Sequence, residues 1–600
     1  MSKKKLLLFP IFVYLVFAAC IYFNNRSFHQ FTLKIFQNEL MGNTLNLHYT
    51  LKNPSAYGIS DYPVTLGSAD PETIEVSGAV LENYLEALSR FPYKILSDSN
   101  QLTYDILELY LENQLSGQEF ALYREPLGPT IGIQAQLPVL LAEYTFYTQE
   151  DVDTYLSLLS QLDEYYTSII NFEQTKAQNG LFMSQSAAES IIKQCQSFIR
   201  HPEENFLITL FNEKIQALDF LTQVEKNTYI EQNQTIVQTS VLPAYQLLIK
   251  GLTALKDTGI NQQGLSYLPN GKSYYEYLLK DSTGCYDSVL SIQSRIESQI
   301  KNDLTLLHTL AANNSELLSK ETLGSAIVFM LDNSPAKIFN TDAWYADSPT
   351  VKEQTEQLLS SFTPTEMIND LKSRITEDFP APPKTDFTVK YVHDSLESYL
   401  SPAFYLTPPL DDLTHNVIYI NRSSVYSALD LYTMLAHEGY PGHLYQTIYS
   451  GSVQSNPLRS LLNFSGYVEG WATYVEMYAY GLANMNATLA EMYRLNRSLT
   501  LGISSMMDIA VHYHGYSRSQ VEDYLARFGF ETASANALYD VLLEAPANYL
   551  RYYLGYLNFL DLRTLCENKK GENFSLKEFH KKVLTIGPAP FPILEKYVLN

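Results

Sequence analysis

The chain is poor in cysteine. Of its 4 cysteines, Cys20 lies in an apolar N-terminal segment, so Cys195, Cys285 and Cys566 remain in the rest of the 600 residues. A small, odd number excludes a disulfide framework and permits one optional bridge at most. We therefore expect isolated buried thiols. No cysteine lies beside the histidine motif described below, so the sequence gives no support to a thiolate nucleophile.

Basic residues are scarce relative to acidic ones. Lysine and arginine number 41 against 65 aspartates and glutamates, which gives a formal net charge of −24. Nucleic acids are bound through clustered Lys and Arg side chains that neutralise phosphates, so this balance argues against a nucleic-acid partner. An acidic surface suits a soluble exported protein equally well.

The N-terminus carries an apolar run. Residues 6–23 follow Lys3, Lys4 and Lys5, and they have about the length needed to cross a bilayer. Because basic residues stay on the cytoplasmic side, we predict that residues 1–23 direct the remainder outside the membrane. Three fates stay open for this segment: a retained signal anchor, lipoprotein cleavage before Cys20, or ordinary signal-peptide cleavage.

Composition and periodicity predict a large, mainly helical protein. With 46% hydrophobic residues, the chain can bury one large or two moderate cores. Apolar residues recur every three or four positions between residues 30 and 340, as in residues 187–195, which predicts helices. Prolines at 380, 382 and 383 indicate a surface connection. We therefore predict an N-terminal helical lobe over residues 30–340 and a second lobe over residues 341–600, with strands at 387–392 and 416–421.

The most informative motif is His437-Glu438-Gly439-Tyr440-Pro441-Gly442-His443, which precedes two glutamates, Glu469 and Glu476. Imidazole nitrogens and a carboxylate are common zinc ligands, and a catalytic zinc keeps one position open for water. The two histidines and one of these glutamates would supply the three protein ligands. Glu438 would then be free to take a proton from the water.

The spacing of the histidines argues against a regular helix between them. Six residues turn through about 600°, which leaves the two rings roughly 120° apart around the axis. Pro441 cannot donate a backbone hydrogen bond, and Gly442 tolerates unusual dihedral angles. We expect a widened or bulged turn that brings both rings to one side. The helix before it is predicted to start near Ser423-Ser424, with an apolar stripe at Val425, Leu429, Tyr432 and Ala436.

The motif and several other stretches resemble a large bacterial family catalogued as domain of unknown function 885. Its members carry H-E-x-x-P-G-H and are grouped with zincin-like metallopeptidases. Further resemblances cover nearly all of the chain after residue 30, at residues 47–50, 53–54, 57–58, 180–183, 401–405, 508, 512 and 587–588. The resemblance implies a mainly α, large helical zincin-like fold of the gluzincin type, with a small β-sheet beside the active-site helix. It supplies no established substrate.

The resemblance also selects among the glutamates. Glu469 corresponds to the third zinc ligand of gluzincin peptidases. Glu476 lies seven residues later, two helical turns and therefore nearly the same face. We expect Glu476 to orient a histidine ring from outside the metal shell.

Further candidates lie downstream. Asp508 and His512 are spaced i and i+4, so Asp508 can steer the His512 ring toward the oxyanion of a tetrahedral intermediate. A helical polar pair with no catalytic part is the alternative. Tyr552 resembles a family tyrosine three residues before a glycine and is a candidate oxyanion donor, with Tyr553 as its rival. Arg551 is a candidate ligand for a substrate carboxylate, and Arg497 and Arg518 are others.

The strand at residues 416–421 comes directly before the motif helix. In zincin-like folds an edge strand borders the cleft and pairs with an extended peptide. This makes residues 418–421, with Tyr419 among them, a candidate wall for a peptide backbone.

These features together predict a zinc-dependent hydrolase acting on short peptides. Zinc lowers the pKa of its water to about 7. Glu438 then accepts the proton, His512 and Tyr552 steady the oxyanion, and Glu438 returns the proton to the leaving amine. Two other functions stay open: a zinc esterase or amidase acting on a non-peptide substrate, and a surface-anchored binding scaffold without activity.

Overall fold

The computed structural model describes residues 3–129, 131–259, 261–314, 359–393, 397, 400–423 and 427–599, and within them the side chains of all but residues 3–11 and 75. In this part of the chain the protein is mainly helical, as predicted, with one three-stranded sheet. The proposed lobe boundary at residues 340–341 lies outside the described residues.

Helices fill the first half of the chain. They are α1 (Lys3–Met41), α2 (Thr44–Thr50), α3 (Glu72–Ser89), α4 (Asp98–Ser116), α5 (Ile133–Glu143), α6 (Gln149–Ser160), α7 (Leu162–Gln178), α8 (Gln185–Phe198), α9 (Phe206–Ala217), α10 (Gln223–Ile236), α11 (Leu242–Leu255), α12 (Gly271–Thr283) and α13 (Val289–Asn313). A π-helical turn at Val237–Val241 joins α10 to α11.

The second half contains the sheet and the motif. Its elements are α14 (Pro364–Arg374), β1 (Asp386–Tyr391), β2 (Ala403–Leu406), β3 (His415–Ile420), α15 (Ala428–Glu438), α16 (His443–Val453), α17 (Ser465–Ala479), α18 (Ala487–Ile509), a π-helical turn at Ala510–His514, α19 (Arg518–Ala526), α20 (Thr532–Glu544), α21 (Asn548–Lys570), α22 (Leu576–Ile586) and α23 (Phe591–Leu599). Short 3-10 turns occur at Pro54–Tyr57, Tyr93–Ile95, Gln118–Tyr123, Pro202–Glu204, Lys256–Thr258, Leu265–Tyr267, Pro457–Ser460, Tyr480–Leu482 and Gly571–Asn573.

Local sequence signals start many of these helices. Thr148 and Thr222 accept hydrogen bonds from the backbone N–H of the third helical residue, and the carboxylates of that residue, Asp151 and Glu225, accept from the backbone N–H of the cap. Such capping boxes satisfy backbone N–H groups that the first turn leaves without partners. The helix starts are therefore largely encoded in short stretches of sequence.

The sheet has the order β1–β3–β2. β3 runs parallel to β1, with Val389 opposite Ile418, and antiparallel to β2, with Phe404 opposite Tyr419. The two predicted strands are confirmed. The edge position predicted for residues 416–421 is wrong, because β3 is hydrogen-bonded to a strand on each side and has no free edge. β2 is an edge strand instead.

Two apolar cores lie on opposite faces of the sheet. Ile418 and Ile420 belong to the larger core, whereas Tyr419 belongs to the smaller one. This alternation follows the two-residue period of a strand. The smaller core is otherwise built mainly from residues 137–252. The larger core combines residues 28–111 with residues 275–598, so the first helices pack together with the C-terminal half.

Helix α1 extends from the apolar N-terminal segment into the larger core. Phe28, Ile35, Phe36 and Leu40 are buried there. Phe12, Tyr14 and Phe17 are exposed at the other end of the helix. Within the described residues, none of the helices combines the length and the apolar character needed to span a bilayer. Cys195, Cys285 and Cys566 are buried free thiols, as expected.

Candidate functional site

The histidine motif forms two helices with a break between them. α15 ends at Glu438, and α16 begins at His443. Gly439, a cis Tyr440–Pro441 peptide bond and Gly442 connect them. The predicted bulged turn is therefore wrong: the helix stops and restarts. Each histidine lies at a helix end, which frees the two rings from the fixed angular spacing of one helix.

The start of the motif helix also differs from the prediction. Ser427 is the N-cap, and its side chain accepts a hydrogen bond from Asp430 N, so the helix begins at Ala428 and not near Ser423-Ser424. Val425 lies outside the described residues. The rest of the predicted stripe, Leu429, Tyr432 and Ala436, is buried.

Gly442 allows the chain to fold back against the end of α15. A Cβ atom at this position would lie 1.8 Å from the carbonyl oxygen of His437. Trp471 fixes the neighbouring residue, because its Nε1 donates to the Pro441 carbonyl at 2.9 Å. The result is that the His437 and His443 rings lie 4.8 Å apart, centre to centre, and nearly perpendicular at 85°.

Helix α17 places Glu469 between the two rings. Its Oε2 atom is 3.5 Å from His437 Nε2 and 3.4 Å from His443 Nε2. Burial alone would raise the pKa of Glu469, but its contacts with the two histidines hold that pKa well below its usual value. Two imidazole nitrogens and one carboxylate oxygen therefore converge, a donor set that suits zinc.

Glu476 contacts the other side of the His437 ring. Its Oε2 is 3.1 Å from His437 Nδ1, and its Oε1 accepts a hydrogen bond from Arg497 Nε at 2.7 Å. Burial would raise the pKa of Glu476, but the charge of Arg497 and the contact with His437 lower it to about 2. Glu476 thus contacts the His437 ring as the prediction requires, and its role in orienting that ring stays a prediction. Burial would lower the pKa of His437, yet Glu469 and Glu476 raise it to about 10.

Glu438 lies next to this cluster without pairing to either histidine nitrogen. Ligand atoms of His437, Glu438 and His443 lie within 4.8 Å of one another. Glu438 Oε2 accepts a hydrogen bond from the backbone N–H of Tyr405 on β2 at 2.9 Å. Burial raises the pKa of Glu438, while the neighbouring histidines oppose the rise. A carboxylate with a raised pKa beside a candidate metal site is suited to accept and return a proton.

Tyr552 on α21 completes this side of the site. Its ring is 6.3 Å from that of His437, centre to centre. Burial and the charge of Glu469 raise the pKa of Tyr552 to about 12, so the phenol stays protonated at neutral pH. α21 approaches α17 closely at two glycines, since a Cβ on Gly470 would lie 2.5 Å from Gly555 Cα. The two helices can approach this closely because both positions lack a side chain.

The rival tyrosine and the predicted arginines differ in their surroundings. Tyr553 is buried, with its hydroxyl 3.4 Å from Ser498 Oγ, so it does not share the position of Tyr552. The Arg551 guanidinium lies 5.2 Å from the centre of the Tyr552 ring. Arg497 donates to Glu476, and Arg518 pairs with Asp540.

The predicted Asp508–His512 pair does not form. His512 Nδ1 accepts from the backbone N–H of Leu265 at 3.1 Å, and Nε2 lies 2.9 Å from the carbonyl oxygen of Leu542. Asp508 accepts from the Tyr275 hydroxyl and from Ala547 N. Both ring nitrogens of His512 are therefore occupied by backbone groups, and its predicted role as an oxyanion donor is wrong.

Tyr419 also differs from its predicted role. Its hydroxyl donates to Glu143 Oε2 at 2.6 Å, and its ring stacks on that of Phe404 at 5.0 Å. The side chain is buried in the smaller core, and β3 has no free edge. The strand that faces the histidine motif is β2, whose Tyr405 backbone contacts Glu438. Residues 401–405 were recognised only as a resemblance to the family. The strand β2 is too short to be recognised from its own residue pattern.

A cavity of about 790 Å³ lies beside the site. Tyr405, whose N–H bonds Glu438, and Val468, the neighbour of Glu469, are among its lining residues. Its volume falls within the range of small-ligand sites, about 300–1,000 Å³. The cavity therefore has the volume of a site for a small ligand or a short peptide segment.

Comparison with known proteins places this chain. A family model described as bacterial protein of unknown function (DUF885) matches residues 54–598. A candidate lipoprotein from Colwellia psychrerythraea has a similar structure, with a TM-score of 0.81 and 20% identity over 96% of this chain and 98% of that chain. A candidate lipoprotein of unknown function from Shewanella oneidensis has a TM-score of 0.65 and 17% identity over 96% of this chain and 100% of that chain. No curated protein matches significantly. Since the family model spans nearly the whole chain, the protein belongs to the DUF885 family, as its motifs predicted.

Proposed function

We propose that the protein is a zinc-dependent hydrolase that cleaves short peptides. The observation that carries the proposal is the convergence of His437 Nε2, His443 Nε2 and Glu469 Oε2, with separations of 3.5 and 3.4 Å from the carboxylate oxygen. These separations exceed the usual N–H···O hydrogen-bond range of about 2.7–3.2 Å. They match the distance of about 3.3 Å between two ligands that each lie about 2.0–2.1 Å from a tetrahedral zinc.

Each residue of the proposed site has a separate role in the reaction. His437, His443 and Glu469 would hold the ion, which when bound supplies a water of lowered pKa and polarises a substrate carbonyl. Glu438 takes up a proton and returns it to the leaving amine, since burial raises its pKa. Tyr552 donates its phenolic proton in a hydrogen bond to the developing oxyanion.

The proposal extends to the fold type and the location. A histidine pair next to a glutamate, with a third ligand from a following helix, supports a zincin-like arrangement of the gluzincin type. The lysines and apolar residues at the N-terminus support an extracytoplasmic location, with the chain held at the membrane through this segment. The description of two structurally similar proteins as candidate lipoproteins is compatible with that location.

Metal content and peptide cleavage test the function together. We expect about one zinc per chain in the wild type and peptide cleavage that a chelator abolishes. Glu438→Gln should keep the zinc and lose cleavage, whereas His443→Ala should lose both. His415→Ala is the matched control, because the His415 side chain is 79% exposed and lies at the start of β3.

Two results would count against the proposal. If the folded wild type takes up no zinc when zinc is supplied, the ligand assignment is wrong. If zinc binds but neither a peptide library nor a panel of esters and amides is hydrolysed, the site serves a binding scaffold and the enzymatic role is lost. Cleavage of esters or non-peptide amides alone would support a hydrolase and would show that its substrate is not a peptide.

A further inference from the structure

The start of α21 brings a positive charge close to the candidate metal site. Arg551 and Tyr552 are adjacent residues of this helix, and both are half-buried. The Arg551 guanidinium lies 5.2 Å from the centre of the Tyr552 ring, which in turn lies 6.3 Å from the centre of the His437 ring. The two separations together are no longer than about three to four extended residues. A peptide bound beside His437 therefore reaches Arg551 within a few residues.

Arg551 differs from Arg497 in having no carboxylate partner. Arg497 donates to Glu476. In the part of the chain that the structure describes, Arg551 forms no ion pair, and its Nε has no hydrogen-bond partner. The Nε atom is buried, so a ligand reaches this guanidinium only through the two Nη atoms. A half-buried guanidinium that lacks a counter-ion favours the binding of an anion from outside the chain.

Buried hydrogen bonds hold the start of α21 in place. Ala547, the residue before the helix, donates its N–H to the two carboxylate oxygens of Asp508, at 3.1 and 3.0 Å. Asp508 also accepts from the Tyr275 hydroxyl. An anchored helix start lowers the entropy that is lost when its side chains bind a ligand. The first turn of a helix also favours negative charge beside it.

A peptide that ends close to the bond to be cleaved offers a matching anion. One guanidinium donates two parallel hydrogen bonds to a carboxylate, and the charges strengthen both. An α-carboxylate and the carboxylate of an acidic side chain share this chemistry. The α-carboxylate is attached directly to the backbone, so its binding costs less side-chain entropy. It is therefore the better ligand for a single fixed arginine.

We propose that the Nη atoms of Arg551 bind the α-carboxylate of a short peptide. That this peptide is a substrate rests on the proposed function. The amide bond that is cleaved then lies about one to three residues before the carboxylate. Water is added across that bond, which gives the longer fragment a new carboxylate and the fragment held by Arg551 a free amine. The proposed hydrolase thus acts at the carboxyl-terminal end of its substrates.

Calorimetry with the full-length Glu438→Gln chain tests the proposal without turnover. A chelator is present, because zinc would itself attract a carboxylate. The probes are an apolar, amino-blocked tripeptide with a free carboxylate, the same peptide with a carboxyl-terminal amide, and an amide whose last residue is aspartate. We expect the free acid to bind about tenfold or more tightly than either amide, because charge strengthens its hydrogen bonds to the guanidinium.

Two substitutions of Arg551 in the same background identify the group that binds the carboxylate. Arg551→Gln should weaken binding of the acid about tenfold and leave both amides unchanged. Arg551→Lys should keep part of the preference, because an ammonium retains the charge and loses the paired geometry. Arg518→Gln is the matched control, since Arg518 also lies in the first turn of a helix but pairs with Asp540. Thermal unfolding shows whether each variant is folded.

Three results would overturn the inference. They are equal affinity of the Glu438→Gln chain for acid and amide, binding of the aspartate amide as tightly as the acid, and a preference for the acid that persists in Arg551→Gln. An equal loss of affinity for all three peptides in Arg551→Gln would also overturn it, because Arg551 would then act only through Tyr552.

The outcomes separate this inference from the proposed function. A preference for the acid that depends on Arg551, in a protein whose wild type hydrolyses nothing, would support the carboxylate site and exclude the enzyme. Hydrolysis of acid and amide at equal rates by the wild type would support the hydrolase and exclude the carboxylate site.

Discussion

At the scale of single residues, the central feature of the site is that each of the two ring nitrogens of His437 has a carboxylate close to it. His437 has Glu469 near Nε2 and Glu476 near Nδ1. The two carboxylates lie on the same face of α17 because they are two helical turns apart. Arg497 balances the charge of Glu476, a role that the sequence did not indicate.

Replacement of Glu476 by glutamine should weaken zinc binding by about 10–100-fold, because the neutral amide orients the His437 ring less firmly and leaves Arg497 without its partner. Competition with a zinc-binding dye would measure the change. Glu491→Gln is the control, since Glu491 pairs with Arg494 through a similar arginine contact on α18. An unchanged zinc affinity in Glu476→Gln would show that Glu476 does not position the ring.

Asp508 predicts a pH dependence of stability. Burial raises the pKa of its carboxyl to about 7 from the usual value of 3.8. The folded chain therefore holds a proton that the unfolded chain has released, so this contribution to stability is present below about pH 4 and is lost as the pH rises to about 7. Between pH 5 and pH 7, wild type should lose roughly 2 kcal/mol of unfolding free energy relative to Asp508→Asn.

Urea denaturation of both proteins at the two pH values would measure this difference. Asparagine can still accept from the Tyr275 hydroxyl, so the variant should fold. The same pH trend in both proteins would mean that Asp508 is ionised throughout, with its charge stabilised in some other way.

At the scale of secondary-structure elements, the break between α15 and α16 creates the site. A glycine is needed at 442 because the backbone there passes directly over the His437 carbonyl. The sequence indicated a disruption through Pro441 and Gly442. It did not show whether the helix would widen or end, because that choice depends on the contact of Pro441 with Trp471 from another helix.

Gly442→Ala should lower hydrolysis about a hundredfold or more, because a Cβ 1.8 Å from an oxygen forces a shift on the order of 1 Å between the two histidines. Gly481→Ala is the matched control, since a Cβ there meets no atom within 4 Å. Zinc content and peptide cleavage of both variants would be compared. Full activity of Gly442→Ala would show that the site tolerates a different turn.

The sheet shows where element prediction fails. The strand at residues 387–392 and that at 416–421 were recognisable from their β-branched and aromatic residues. β2 is four residues long and carries too little pattern to be recognised. Its insertion beside β3 decides which strand has the free edge, and strand order is a property of long-range pairing that no local stretch contains.

At the scale of the whole molecule, the N-terminal helix is part of the fold. Phe28, Ile35 and Phe36 of α1 lie in the same core as the helices of the site. Asn456 Nδ2 also donates to Thr32 Oγ1 across 424 residues of sequence. The side chains of the first helix therefore form part of the larger core.

A chain that starts at residue 24 should fold like the full protein, whereas one that starts at residue 42 should not. The second loses four buried apolar side chains of α1, each worth about 2–5 kcal/mol, against a typical total stability of about 5–15 kcal/mol. Circular dichroism with thermal unfolding would compare them. Cooperative unfolding of the shorter chain would show that α1 is dispensable.

The candidate site was predictable to the extent that its residues lie in short motifs. His437, Glu438, His443, Glu469 and Tyr552 are brought together in the structure as the motifs suggested. His512 was misassigned because its partners, Leu265 and Leu542, are backbone groups distant in sequence.

The sequence by itself determined the helical character, the two longer strands, the histidine–glutamate motif and the family. These depend on periodicity, capping and residue spacing, which are local. Only the tertiary structure decided the order of the strands, the break that aligns the two histidines and the packing of α1 with the C-terminal half. Each of these depends on contacts between segments far apart in the chain, so folding determines them and local propensity does not.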